Sequence, residues 1–364
     1  MPQDEKFWNP YRLVPMKGDV QRKPPITDEK FQCKSGLISC SLENLTPLFI
    51  GKNRLNEQQF LTRKCFQGDR LVIPGSSLKG MFRSLGELIG GGCLITGKEN
   101  KDACSPCSNA NSLCITCRMF GMMERGRNAR VHRGNLGISD GLLQEQRART
   151  ETFQVLLSNC GVRHEPFYRS PHTGILDGKS RKIYFHQPRR AASVPNVPDN
   201  LKPRAWKING LLPNHHFDFE VQFSNLSEKE LSLLIYVLVL EEDVNVTVEG
   251  NGLTLRGPLR HKIGSAKPLG MGSCHITINK LTYLSDPKER YASLQRTGAQ
   301  HYEDVALRGE INRQIEMHVN DRSPTMEGLR KMMVWDESDP RDFRYPDYYW
   351  FKDPKNSQKE LKRL

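Results

Sequence analysis

The sequence predicts an α+β fold, a ferredoxin-like core with large insertions, on three observations. Residues 216–240, HFDFEVQFSNLSEKELSLLIYVLVL, read as a strand running directly into a helix. Residues 36–50, GLISCSLENLTPLFI, and 71–90, LVIPGSSLKGMFRSLGELIG, give an earlier strand and helix. A further strand pattern follows each helix, in residues 133–143 and 260–278. Two βαβ-like halves in succession are the pattern of a ferredoxin-like sheet. No fixed-period repeat is present.

The elements are justified locally. In residues 36–50, Leu37, Cys40, Leu42 and Leu45 are apolar among polar neighbours, which is strand patterning. A polar loop follows at 51–64, then a QGDR hairpin turn at 67–70. Beyond it, Ser76 or Ser77 is the natural N-cap of a helix whose apolar stripe is Leu78, Phe82, Leu85 and Leu88 or Ile89. Phe217, Phe219, Val221 and Phe223 alternate, and Ser227 with Glu230 spells a capping box before a helix apolar enough to be buried. We divide the chain into an N-terminal arm (1–35), a core (36–280) and a C-terminal helical extension with a basic-aromatic tail (281–364). The core carries insertions at about 93–121 and about 150–210.

Charge narrows the function. Lys and Arg number 54 against 41 Asp and Glu, a net +13 and a pI near 9.3. That balance suits a polyanion, nucleic acid first and an anionic membrane surface second. No stretch approaches the ~20 apolar residues of a membrane span, and the N-terminal residues lack a basic-then-apolar signal pattern. The expectation is a cytoplasmic protein with no membrane partner.

Of ten cysteines, five fall within 25 residues: Cys93, Cys104, Cys107, Cys114 and Cys117. Clustering without any sign of export points to a metal rather than to disulfides. CSPC at 104–107 and CITC at 114–117 are two C-x-x-C turns, each able to deliver two thiolates to a tetrahedral Zn2+. The expected ligands are Cys104, Cys107, Cys114 and Cys117, with Cys93 as a substitute if one turn supplies a single thiolate. Four ligands close the shell, so the metal is structural.

Two segments combine glycine with basic residues. PGSSLKG at 74–80 sits where a strand becomes a helix, and its helix start offers free amides to a phosphate, with Lys79 and Arg83 one turn apart. It lacks the P-loop spacing, which excludes nucleotide hydrolysis of that kind. An ordinary serine-capped helix is the plain alternative. The second segment holds Lys262, Gly264, Lys267, Gly270 and Gly272. Residues 160–190 interleave Arg, Lys and His with Phe167, Tyr168, Tyr184 and Phe185, which suits phosphate tracking and base stacking, or equally a solvated loop with inward aromatics. Catalytic signals are meagre: Glu57 in the polar loop and Asp69 in the hairpin turn are the acids that could hold a divalent ion such as Mg2+ for RNA cleavage.

IPGSSLKGMFR at 73–83, CITCRMFG at 114–121 and HKIGSAKPLGMGS at 261–273, in that order, resemble the RAMP backbone subunits of type III CRISPR complexes. RVHRGNLGISD and GKSRKIYFHQ look like the III-D-like branch. The resemblance implies an RRM-like core with a β-hairpin thumb, polymerising with other effector subunits along a crRNA and positioning complementary target RNA. It implies guide contacts for Ser76, Ser77, Lys79, Arg83 and the loop from Lys262 to Gly272. Many members of the family also cut target RNA with an Asp in the loop after the first strand; here the only acid of that loop is Glu57. The reading is therefore a crRNA-binding subunit better equipped to hold RNA than to cut it. The alternatives are a precursor-crRNA processing endoribonuclease with a base such as His164, His172 or His186, and a stand-alone zinc-stapled RNA-binding protein.

Overall fold

The computed structural model describes residues 8–27, 29–51, 59–65, 68–94, 104–157, 164–169, 179–190, 197, 199, 202, 205–248, 252–292, 298–346 and 348–361. Its framework is β1 (Lys34–Asn44), α1 (Gly75–Ile89), β2 (Leu136–Ile138), β3 (Gly141–Leu143), β4 (His216–Leu226), α2 (Glu228–Val239) and β5 (Ser273–Leu284). β1 lies between β4 and β5, and β4 takes β2 and β3 along its other edge. The hairpin Thr62–Cys65/Gly68–Ile73 extends the sheet beyond β3, and His261–Lys262 and Ala299–Tyr302 pair with β5. Every pairing in this sheet is antiparallel.

Each long element forms for a local reason. β4 alternates strictly, burying Phe217, Phe219, Val221 and Phe223. On β1 the inward set is Ile38, Cys40, Leu42 and Asn44, so Leu37 faces the opposite side from Cys40. Residues an odd number apart cannot share a strand face, and the serines at 39 and 41 mark the outer side. α1 buries Leu78, Phe82, Leu85, Leu88 and Ile89, and Phe82 stacks on Phe219 with centroids 6.2 Å apart. α2 is buried on nearly all sides, closed at its start by Ser227 and Glu230, whose carboxylate receives the Ser227 N–H at 3.0 Å.

The start of α1 departs from expectation. Pro74 is the N-cap and offers no side-chain bond; Ser76 and Ser77 already lie inside the first turn. The cap comes from Asp140, in the turn between β2 and β3, whose carboxylate accepts the Gly75 N–H at 2.9 Å. Gly75 is required there because a Cβ would lie 2.3 Å from the Ile138 carbonyl oxygen. The carboxylate thus meets the positive end of α1 across the sheet rather than along the chain.

Further helices and strands pack against this framework. α3 (Asp304–Val319) packs on α2, and α4 (Pro324–Met333) packs on the strand Tyr11–Pro15, which pairs with Ser180–Tyr184. Arg12 and Arg341 both lie over the rings of Trp8 and Phe185, at 4.7–5.6 Å from the centroids. No described helix is long and apolar enough to cross a membrane.

Removing the carboxylate that caps α1 across the sheet costs roughly 0.5–2 kcal/mol, the range for a lost N-cap. Urea unfolding should show Asp140→Ala in that range and Ser76→Ala near wild type; equal losses in both would contradict the assignment of the cap.

Candidate nucleic-acid interface and metal centre

The two glycine-basic segments, distant in sequence, meet in one cleft of about 540 Å³. Ser77, Gly80 and Arg83 of α1 form one wall, Lys262, Gly264 and Lys267 another, and Arg181, Lys182 and Tyr184 a third. The second loop holds its shape through its glycines. Gly272 has φ +79°, and a Cβ there would fall 1.9 Å from the Ile263 carbonyl oxygen. Its N–H instead donates to Pro47 at 2.9 Å, and Ser265 donates to Phe49 at 3.0 Å, so the loop folds back onto the chain that follows β1.

Lys262 is the most perturbed cation of the cleft. Its Nζ donates to Ser273 Oγ at 3.3 Å and to the Gly270 carbonyl at 3.5 Å. Burial, and then the charge of Lys267, lowers its pKa to about 7. Lys267 is also lowered by burial. Among the described residues neither lysine has a carboxylate within ion-pair distance. His186, in the same cleft, is locked by Ser273 Oγ at 2.8 Å and the Arg260 carbonyl at 2.9 Å, and burial drives its pKa well below the ordinary value. It is held neutral with both ring nitrogens engaged, a poor candidate for a general base. His164 packs against Phe167 and Trp350 and bonds the Lys359 carbonyl at 2.7 Å. His172 lies outside the described residues.

Below the lysines lies an ion-pair cluster. Glu87, completely buried, receives Arg83 Nε at 2.8 Å on Oε1 and Arg181 on Oε2. Arg181 also donates to Ser84 Oγ at 3.0 Å. Burial, followed by the charge of Arg83, lowers the Arg181 pKa to about 10. Arg83 is therefore turned inward, and Lys79 donates to the Leu136 carbonyl at 3.0 Å, holding β2. Of the α1 residues expected at a phosphate, Ser77 and Arg83 line the cleft, Arg83 with its guanidinium engaged by Glu87. Asp140 occupies the helix start that phosphate was expected to take.

The outer face of the sheet carries Glu43, Asp218 and Glu220 among Ser39, Ser41 and Thr277, with His216, His275 and Lys280 on the same side. Asp69 is exposed on the hairpin strand opposite Lys64 and does not line the cleft. Glu57 lies outside the described residues.

The cysteines gather differently from expectation. Cys93, Cys107, Cys114 and Cys117 bring their sulfurs within 4.8 Å of one another, all buried. Cys104 is not in this group; its carbonyl accepts the Leu94 N–H at 2.9 Å. The reason is the end of α1: Gly91, at φ +70°, reverses the chain and returns Cys93 to the cluster. A Gly-Gly-Gly-Cys run directly after a helix was the available signal. Tetrahedral Zn–S bonds of ~2.3 Å place sulfurs roughly 3.8 Å apart, and the Cys93 and Cys117 sulfurs are 3.5 Å apart. Backbone N–H groups of Cys93 and Cys117 donate to Cys114 Sγ at 3.3 and 3.4 Å, and that of Cys114 to Cys107 Sγ at 3.3 Å. Contacts with the Cys107, Cys117 and Cys93 sulfurs lower the Cys114 pKa. Buried sulfurs with N–H donors and converging positions fit a thiophilic ion.

Two consequences are measurable. Elemental analysis of purified protein should show metal lost in Cys93→Ser and retained in Cys104→Ser; the reverse would restore the paired C-x-x-C ligand set. Glu87→Ala leaves two half-buried guanidinium groups without their carboxylate and should destabilise by up to about 3–5 kcal/mol, the range for a broken buried ion pair, read by chemical denaturation.

No curated protein matches the chain. The crystal structure of the Csm3-Csm4 subcomplex in the type III-A CRISPR-Cas interference complex is similar over 78% of this chain and 98% of that one, at 16% identity and a TM-score of 0.34. The model of the RAMP superfamily matches residues 41–275, and the chain belongs to that superfamily.

Proposed function

We propose that this chain is a crRNA-binding subunit of a type III CRISPR effector complex, with a structural Zn2+ on Cys93, Cys107, Cys114 and Cys117. One observation carries the RNA-binding reading. The segments at 74–80 and 262–272 line a single cleft in which Lys262 and Lys267 have no carboxylate partner among the described residues. Half-buried ammonium groups without counter-ions are costly, and a phosphate backbone supplies the missing charge. Superfamily membership supports the same reading, and the type III assignment rests on the ordered motifs at 73–83, 114–121 and 261–273.

The chain order β1, α1, β2–β3, β4, α2, β5 with β1 between β4 and β5 supports a ferredoxin-like core. The hairpin Thr150–Val155/Trp206–Leu211 is our candidate for the thumb. Its Phe153, Val155 and Ile208 pack with Ala266 and Met271 of the glycine loop, which would tie thumb and guide site together. Contacts of this kind read the guide backbone, leaving sequence to base pairing.

Binding of a labelled oligouridylate to the full chain tests the proposal. Lys262→Ala and Lys267→Ala should each weaken binding and flatten log K against log salt by about 0.7, one single-strand phosphate contact apiece. A double variant with wild-type affinity and salt slope would overturn the reading. The pH dependence has a fixed sign. Lys262 is charged below about 7 and neutral above it. Phosphate favours the charged form, so binding takes up a proton and affinity falls as pH rises above 7. Lys262→Arg, which stays charged, should remove that fall.

A further inference from the structure

We infer that Arg83 is a positioning residue shared by the four-cysteine centre and the RNA cleft, and that it couples occupancy of one to occupancy of the other. The coupling half of this inference rests on the proposed RNA reading; the metal half does not. Arg83 Nη2 donates to Cys117 Sγ at 3.2 Å, Nη1 to the Gly121 carbonyl at 2.6 Å and Nε to Glu87 at 2.8 Å. A planar fork holds three donors on three separate nitrogens in fixed directions, whereas an ammonium group presents its donors from one atom on a flexible stem. Its partner Glu87 in turn holds Arg181, and Arg83, Glu87 and Arg181 all line the cleft. A continuous run of charged contacts therefore joins a cysteine sulfur to the cleft wall.

The electrostatics give the run a direction. Four thiolates around a divalent ion carry two net negative charges, and Arg83 is the one guanidinium seen on a sulfur of the group among the described residues. The ion fixes the Cys117 sulfur where Arg83 Nη2 meets it; without the ion Arg83 relies on the Gly121 carbonyl and on a carboxylate already shared with Arg181. Metal binding thus fixes Arg83, leaves Glu87 shared in its observed geometry and holds Arg181 at the cleft. Coupling is reciprocal: whatever ordering of Arg181 RNA provides must return as tighter metal binding.

Arg118 offers a built-in contrast. It anchors the same cysteine module through Glu230 at 2.7 Å and the Leu113 carbonyl at 2.9 Å, with no contact to a sulfur. Competition of the full chain with a chelating dye should show metal affinity reduced about 10–100-fold in Arg83→Ala, the range for an outer partner of a metal ligand. Arg83→Lys should fall in between, and Arg118→Ala should lose less than Arg83→Ala. Equal metal affinity in wild type and Arg83→Ala, or equal losses in Arg83→Ala and Arg118→Ala, overturns the assignment. Should Arg83→Ala fail to fold, cadmium-loaded wild type decides the point by NMR. A scalar coupling between cadmium and the Arg83 guanidinium protons supports the contact, and its absence overturns it. For the coupling, saturating oligouridylate should slow metal release from wild type several-fold and leave Arg83→Lys unchanged; identical slowing in both overturns it. Failure of oligouridylate to bind wild type sinks the RNA reading and the coupling with it, while the dye competition still decides the metal half.

Discussion

Much of the molecule turns on Glu87, a carboxylate with no solvent access between two arginines. A buried charge is tolerable only when paired and fully bonded. Here the pairing draws on three separate parts of the chain: α1, the short helix Ile115–Phe120 through the bonds of Arg83 to Cys117 and Gly121, and the strand Ser180–Tyr184. Because none of these charges can be satisfied alone, the cysteine module, the helix and the basic insertion are held in one arrangement. The cleft is a by-product of that arrangement.

The division of labour among the basic residues follows from desolvation. Arg83 and Arg181 share a carboxylate inside the protein, whereas Lys262 and Lys267 stand at the cleft without one among the described residues. Burial lowers both lysine pKa values, which is the signature of a charge kept short of solvent and of a counter-ion. The outer face of the sheet sharpens the contrast: Glu43, Asp218 and Glu220 stand there beside Lys280, so the loops beside α1 offer the more attractive surface to a phosphate chain.

Gly272 shows why the second loop is glycine-rich. Its N–H reaches Pro47 and its Cα sits against the Ile263 backbone, so the loop is stitched to the chain leaving β1 before any ligand arrives. Gly80, by contrast, has nothing within 4 Å of where its Cβ would be among the described residues, so no packing requirement there explains it. A helix-interior glycine on a cleft wall leaves room for something outside the protein.

The sequence by itself determined whatever depends on neighbours along the chain. The apolar stripe of α1, the alternation of β4, the capping box at Ser227 and Glu230 and the clustering of cysteines are set by spacings of two to seven residues, and each is legible without coordinates. Tertiary structure decided everything that depends on which distant group arrives first. Asp140 caps α1 in place of the serines because the β2–β3 turn lands on its first amide. Cys93 joins the metal centre and Cys104 does not, because glycines at the end of α1 turn the chain back. Arg83 points inward because Cys117 and Gly121 are there to receive it, beside Glu87 one turn along its own helix. Local spacing fixes the faces of helices and strands, but a buried charge or thiolate is satisfied through space, and sequence distance carries no record of that.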